Sequence, residues 1–233
     1  EFPGVWRIRV PGMKTLVRIT SLLVTLIVPF ILIMTAIRLL ITPVFLRIEY
    51  NLPNFPPDPF GFTTADRLKW GGLSMDYLVN SEPDNYLSTL QFEDGTPLYN
   101  ERELSHMLDV RKLVKTSLSV WYVLSGVILI VGLIAWKLGY LKAYWKAIAT
   151  GGWLTLGLII LVIFSTFIDF SGLFTAFHGL FFEGDTWLFY ASDTLIRLYP
   201  LKFWSDAFIY MGIFTVIGAL VSIFVLGKLP RKR

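Results

Sequence analysis

Four long uncharged runs divide the chain. Arg18 and Arg38 bracket 19 uncharged residues (19–37), and Lys115 and Lys137 bracket 21 (116–136). Lys146 and Asp169 bracket 22 (147–168), and Asp206 and Lys228 bracket 21 (207–227). A helix needs about 20 apolar residues to cross the hydrocarbon core of a bilayer, so each run predicts a transmembrane helix. The first run continues past Arg38 to Leu46 with no small-x-small exit. That separates it from a cleaved signal peptide and predicts a span over 19–46. Pro29 inside it predicts a kink. Met13-Lys14 looks like a natural start, which sets residues 1–12 apart.

Between the spans the pattern changes. The 47–115 connection opens on an extended, proline-fixed stretch, Asn51 to Pro59. Thr63 or Thr64 can cap a short helix, which Gly71-Gly72 interrupts and Leu73–Val79 continues. Asp94-Gly95 signals a turn, so Leu90-Gln91-Phe92 and Pro97-Leu98-Tyr99 predict a small hairpin. Asn100 with Glu103 three residues on has the spacing of a helix start. The helix from Glu101 to about Lys115 runs straight into the second span, with His106 and Asp109 on one face at i, i+3. In the 169–206 connection, Phe170–Phe182 is thirteen uncharged residues. That is about 20 Å of helix, too short to span, and it predicts a re-entrant or interfacial helix. A second amphipathic piece is expected from Trp187 to Leu198. The fold class is therefore an all-α membrane protein. It is a four-transmembrane-helix bundle with a folded extracytoplasmic loop and a re-entrant or interfacial helix.

Charge assigns the sides. Residues 1–18, the 137–146 connection and the 228–233 tail carry eleven bases and one acid. The 47–115 connection has seven bases and eleven acids, and 169–206 has two bases and five acids. The positive-inside rule puts both termini in the cytoplasm and both acidic connections outside. Trp121 and Tyr122 mark one membrane face, and Trp136, Tyr140, Trp145 and Trp153 the other. The composition agrees: 55% of residues are hydrophobic and 16% charged, against about 25% charged in a soluble domain. The pI of 9.2 thus reflects membrane topology rather than nucleic-acid binding. With no Cys in 233 residues, no thiolate nucleophile, disulfide or Cys-ligated metal is available.

The chain has two histidines, both on the predicted outer side near headgroup depth. His178 lies in Phe174–Phe182. An imidazole among apolar and aromatic residues costs free energy unless hydrogen-bonded, and ionisable groups at membrane depth point to function. The bland alternative is an interfacial residue satisfied by a backbone carbonyl. A serine hydrolase finds little support. Ser105 and His106 are helical neighbours pointing about 100° apart, and there is no Gly-x-Ser-x-Gly elbow. A metal site could draw on both histidines with Asp109 or Asp169, but no His-Glu-x-x-His spacing is present. Arg38 reads as a snorkelling base or a salt bridge inside the bundle, and less readily as a lipid-headgroup ligand.

Several segments resemble one family. They are Leu98-Tyr99-Asn100-Glu101-Arg102-Glu103-Leu104-Ser105-His106-Met107-Leu108-Asp109-Val110, and Phe177-His178-Gly179-Leu180-Phe181-Phe182 with Trp187-Leu188-Phe189. Leu198-Tyr199-Pro200 and Phe203-Trp204 follow. These are similar to the small four-span bacterial lipoprotein intramolecular transacylases, and the likeness covers most of the chain from Lys14 on. The resemblance implies an acyltransferase of the bacterial cytoplasmic membrane whose partners are diacylglyceryl-modified lipoproteins and membrane lipids. It needs no cofactor and no metal. The sn-2 acyl chain of the diacylglyceryl-Cys would move to the Cys α-amino group, leaving a lyso-form lipoprotein. Attack closes a ring of about eight atoms, so positioning replaces a bimolecular encounter and no enzyme nucleophile is required. On this reading His178 is the base and His106 its acid or carbonyl-polarising partner, with the roles exchangeable. Asp109 orients His106, and Tyr99 and Trp187 are supporting residues. Two other readings stay open on the residues alone. One is an envelope scaffold or lipid-binding protein without catalysis, and the other is a metal-dependent membrane hydrolase.

Overall fold

A computed structural model describes residues 12–228. Arg7, Arg9 and Arg231–Arg233, used in the charge argument, lie outside the described residues. The apolar runs form four helices long and apolar enough to cross a membrane: α1 (Met13–Leu40), α4 (Glu101–Lys137), α5 (Leu141–Ile168) and α8 (Leu201–Phe224). The chain is a multi-pass membrane protein. α1, α5 and α8 pack mutually and form the tight part of the bundle, while α4 leans on α1 and α5. The apolar window of α4 is the least buried of the four.

Lipid tails are as apolar as leucine, so spans associate through close packing rather than hydrophobic burial. Gly151-Gly152 on α5 supplies it. A Cβ on Gly151 would sit 2.6 Å from the Cβ of Val28 in α1, and one on Gly152 would sit 2.9 Å from the Ala219 carbonyl of α8. Two adjacent glycines thus serve two neighbours at once.

The first apolar run does not remain one helix to Leu46. α1 passes through Pro29 and stops at Leu40. Thr42 then caps a new helix, α2 (Pro43–Tyr50), with Pro43 in its first turn. A proline has no N–H to give and fixes φ, so it suits a helix start and opposes continuation. Arg38 is not in a salt bridge among the described residues. It donates to the Ile41 carbonyl at 2.9 Å, covering a group left open where α1 ends.

The loops on one end of the bundle make a cap. Its members are α2, α3 (Thr64–Tyr77), a 3₁₀ turn (Tyr86–Thr89), the start of α4, α6 (Phe170–Phe181) and the short α7 (Thr194–Leu198). Thr63 with Asp66, and Asn100 with Glu103, form reciprocal capping boxes that start α3 and α4. Gly71-Gly72 does not interrupt α3. Gly71 instead lets the Tyr50 hydroxyl approach to 2.8 Å of where a Cβ would be, and its carbonyl accepts from Tyr199 Oη at 2.6 Å. The expected hairpin is reduced to one bridge, Gln91 with Pro97, closed by Gly95 at φ 83°. Of the amphipathic piece from Trp187 to Leu198, Thr194–Leu198 is helical.

The cap core holds Leu46, Tyr50, Tyr77, Leu87, Leu98, Tyr99, Leu198 and Phe203. Buried polar groups tie its pieces together. Glu103 accepts the Leu195 N–H at 2.7 Å, Thr194 donates to the Leu98 carbonyl at 2.6 Å, and Arg197 pairs with Asp58 at 3.0 Å. Such bonds matter more through the cost of breaking them than of making them, since an orphaned buried group loses its full hydration.

Candidate active site

α5 ends at Ile168, and Asp169 turns the chain. Its carboxylate accepts the Gly172 N–H at 2.9 Å and starts α6. Asp169, a conceivable metal ligand in the sequence, is thus an N-cap. α6 lies on the cap end of α8, with Phe170 and Phe177 against Phe208 and Phe174 against Trp204. That packing turns His178 inward, toward the first turns of α4.

There it meets His106. The imidazole centroids are 6.1 Å apart with the rings inclined by 23°. His106 is 8% and His178 9% exposed. Aromatic rings enclose them. Phe174 lies 4.0 Å and Trp187 4.8 Å from His178, centroid to centroid. Phe182 lies 4.9 Å and Phe189 5.3 Å from His106. The pair sits where cap and bundle meet.

Hydrogen bonding sets the chemistry. His178 Nδ1 is 2.8 Å from the Phe174 carbonyl, one turn back. A carbonyl can only accept, so Nδ1 carries the proton and Nε2 keeps a lone pair. His106 Nδ1 is buried with no hydrogen-bond partner, and so is the indole Nε1–H of Trp187. Burial pushes the His106 pKa down to about 4, helped by the neighbouring His178, while Asp109 opposes the shift weakly. Burial also lowers His178, partly offset by its bond to Phe174. Both imidazoles are therefore neutral at neutral pH, and each can take a proton.

The supporting residues divide. Trp187 is in the cage. Asp109 is half-exposed at 47% and pairs with Lys112 at 3.5 Å; no hydrogen bond joins it to His106. Tyr99 is in the cap core, its hydroxyl bonded to Ser74, one residue before the Asn100 that caps α4. Ser105 is exposed and, with Arg102, Asp185, Thr186 and Leu188, lines a hollow of about 250 Å³ beside His106. Among the described residues no three His, Cys, Asp or Glu side chains form a metal-ligating cluster. The sequence reading missed Phe174, Phe182 and Phe189 as cage walls. Phe174 and Phe182 were legible in principle, since they flank His178 at i−4 and i+4 on one helical face.

A buried pair of neutral imidazoles, walled by aromatic rings at the membrane rim of a four-span bundle, defines a class. It is an integral-membrane protein that keeps two titratable rings in a dry aromatic cage. The comparisons make this specific. The sequence model of the family described as lipoprotein intramolecular transacylase Lit matches residues 22–204, and the chain belongs to that family, an acyltransferase family. An uncharacterised protein of Aquifex aeolicus is 30% identical over 215 residues, covering 91% of this chain and 95% of that protein. The chain also shares its fold with the lipoprotein intramolecular transacylase Lit of Bacillus cereus. The TM-score is 0.71 at 22% identity, covering 90% of this chain and 93% of the other. Structures of that protein with one histidine changed to arginine or to alanine align at TM-scores of 0.71 and 0.64, both at 21% identity.

Proposed function

We propose that this chain moves the sn-2 acyl chain of a diacylglyceryl-Cys lipoprotein onto the Cys α-amino group, with His178 and His106 as the acid–base pair. His178 Nε2 takes a proton from the α-ammonium. The amine attacks the sn-2 carbonyl carbon and closes a ring of about eight atoms. The attacking nitrogen then gives its surplus proton to His106, the protonated His178 returns its proton to the departing glycerol oxygen, the acyl chain stays on nitrogen as an amide, and the one proton left over on His106 passes to solvent. Both reacting groups belong to one molecule, so alignment supplies much of the rate. Each general acid or base typically contributes 10²–10⁴-fold. The unpartnered Trp187 N–H is suited to the oxygen that becomes negative in the ring intermediate, because a pre-placed donor in a dry site needs no reorganisation.

One observation carries this reading: the only two histidines of the chain come together, caged by aromatic rings, where cap and bundle meet. The basic 137–146 connection at the opposite end of the bundle supports a cytoplasmic location for that end and an outer-leaflet location for the cage. There a lipoprotein Cys would lie at headgroup level.

The test uses cells that depend on this chain for lyso-lipoprotein. The product is an isomer of the substrate, so intact mass does not change; fragmentation must locate one acyl chain on the Cys nitrogen. His178→Ala and His106→Ala should each abolish that fragment while the protein persists in the membrane. Near-normal conversion by either variant removes that histidine from the mechanism.

A further inference from the structure

We infer that the groove between α1 and α4, on the cap end of the bundle, holds the phosphate of an anionic membrane phospholipid distinct from the substrate. The groove encloses about 280 Å³ and is lined by Arg38, Val79, Lys115, Leu118, Ser119 and Tyr122. Arg38 comes from α1 and Lys115 from α4, so two helices aim cations at one hollow. Neither pairs with a carboxylate among the described residues. Arg38 uses one nitrogen on the Ile41 carbonyl, and its fork of N–H donors has others to offer. The Ser119 hydroxyl gives its proton to the Lys115 carbonyl and can still accept.

A third cation strengthens the field. Arg111 stands one turn before Lys115 on the same face of α4 and is 2% exposed. It donates to the carbonyls of Asn80 and Glu82 and lies 4.1 Å over the Tyr77 ring, and the one carboxylate near its charge is Asp84 at 3.6 Å, a residue 72% exposed. Simple snorkelling does not account for this. A snorkelling base carries its head into water, whereas Arg38 and Lys115 are both half-buried and face one another's groove.

Depth identifies the occupant as a lipid. The Trp121 indole donates to Thr35 at 3.2 Å, pinning α4 to α1 about one turn further into the bundle. Tyr122 packs on Trp121 and is 64% exposed, as expected of an aromatic belt at headgroup level. Leu39 and Val123 open beside it to the bilayer. The groove is also not the active site. Lys115 is nine residues after His106, which is about 13 Å along the helix and half a turn around it. A diacylglyceryl thioether carries no phosphate, so the proposed substrate lacks the group this groove selects. A lipid bridging α1 and α4 would brace the span with the least protein cover.

Native mass spectrometry of the detergent-solubilised protein tests this with dioleoyl phosphatidylglycerol, dioleoylglycerol and inorganic phosphate as separate probes. Wild type should retain phosphatidylglycerol over dioleoylglycerol. A cation near a lipid phosphate contributes about fivefold in affinity, so Lys115→Gln should weaken retention about fivefold and the Arg38→Gln/Lys115→Gln pair about 25-fold. Lys115→Gln alone suffices if the double variant fails to fold. Equal retention by wild type and Lys115→Gln overturns the site. Displacement of the lipid by 10 mM inorganic phosphate, or phosphate binding without lipid preference, overturns the lipid as occupant.

Discussion

His106 should make the protein sensitive to mild acid in a way that one substitution removes. Unfolded, its imidazole takes a proton near pH 6.5; folded, burial beside His178 delays this to about 4. Below pH 6.5 the unfolded state therefore binds the proton first and stability falls, until the pH passes about 4 and both states are protonated. The linkage gives a loss of about 2 kcal/mol between pH 8 and pH 5, and about 3 kcal/mol by pH 4. For a chain of this size about 2 kcal/mol corresponds to about 4–8 °C in Tm. The assay is thermal unfolding in detergent across pH 8 to 5, for wild type and His106→Gln. Glutamine keeps a polar side chain of similar size and does not titrate. His178 and the carboxylates add their own pH dependence to both proteins, so the difference between the two curves isolates His106. Wild type should lose about 4–8 °C more than the variant on acidification. Parallel curves would mean that His106 is not held neutral in a dry cage, and the acid–base reading would lose its physical basis.

Four further outcomes follow from the geometry. Asp109→Asn should leave transacylation within about threefold, because the carboxylate is paired with Lys112 and bonds no imidazole; lyso-lipoprotein yield checks this, and a loss above tenfold would restore Asp109 to the site. Trp187→Phe keeps an aromatic wall but removes the N–H together with the pyrrole half of the indole, so kcat should fall about 10²-fold with little change in KM, as measured on a synthetic lipopeptide. Glu49 is fully buried beside Asp206, and burial with that like charge raises its pKa. A raised carboxyl is neutral when folded and ionised when unfolded, so it costs stability as pH rises above the ordinary carboxylate range; Glu49→Gln should raise Tm at pH 8 relative to wild type and less so at pH 5. Gly152→Leu should prevent accumulation of folded protein, since its side chain would meet the Ala219 carbonyl and Ser222, whereas Gly157→Leu, facing open space, should be tolerated; size-exclusion profiles after solubilisation distinguish them.

The two imidazoles show where sequence reasoning reached and where it stopped. That both were candidates was legible, because a titratable ring in an apolar segment demands a reason wherever it folds. That they face each other was not. It depends on Asp169 turning α6 off α5 and on Phe170 and Phe177 seating it against Phe208, contacts between residues far apart in the chain. The partner of Asp109 was out of reach for a related cause. Spacing at i, i+3 puts it on the face of His106, but spacing cannot say that Lys112, also three residues away, is the partner it takes.

The sequence by itself determined the four spans, the caps that start α3 and α4, and the placing of both histidines in the connections rather than in the spans. These follow from local rules: the length of an uncharged run against the thickness of a bilayer, and a side chain answering a backbone group three residues on. Only the tertiary structure decided that Gly151-Gly152 docks two helices, that Glu103 closes on Leu195, and that the aromatic rings of 174–189 close over His106. Each of these is a contact between residues distant in sequence. Its strength depends on distance and burial, which hydrophobic pattern and spacing do not contain.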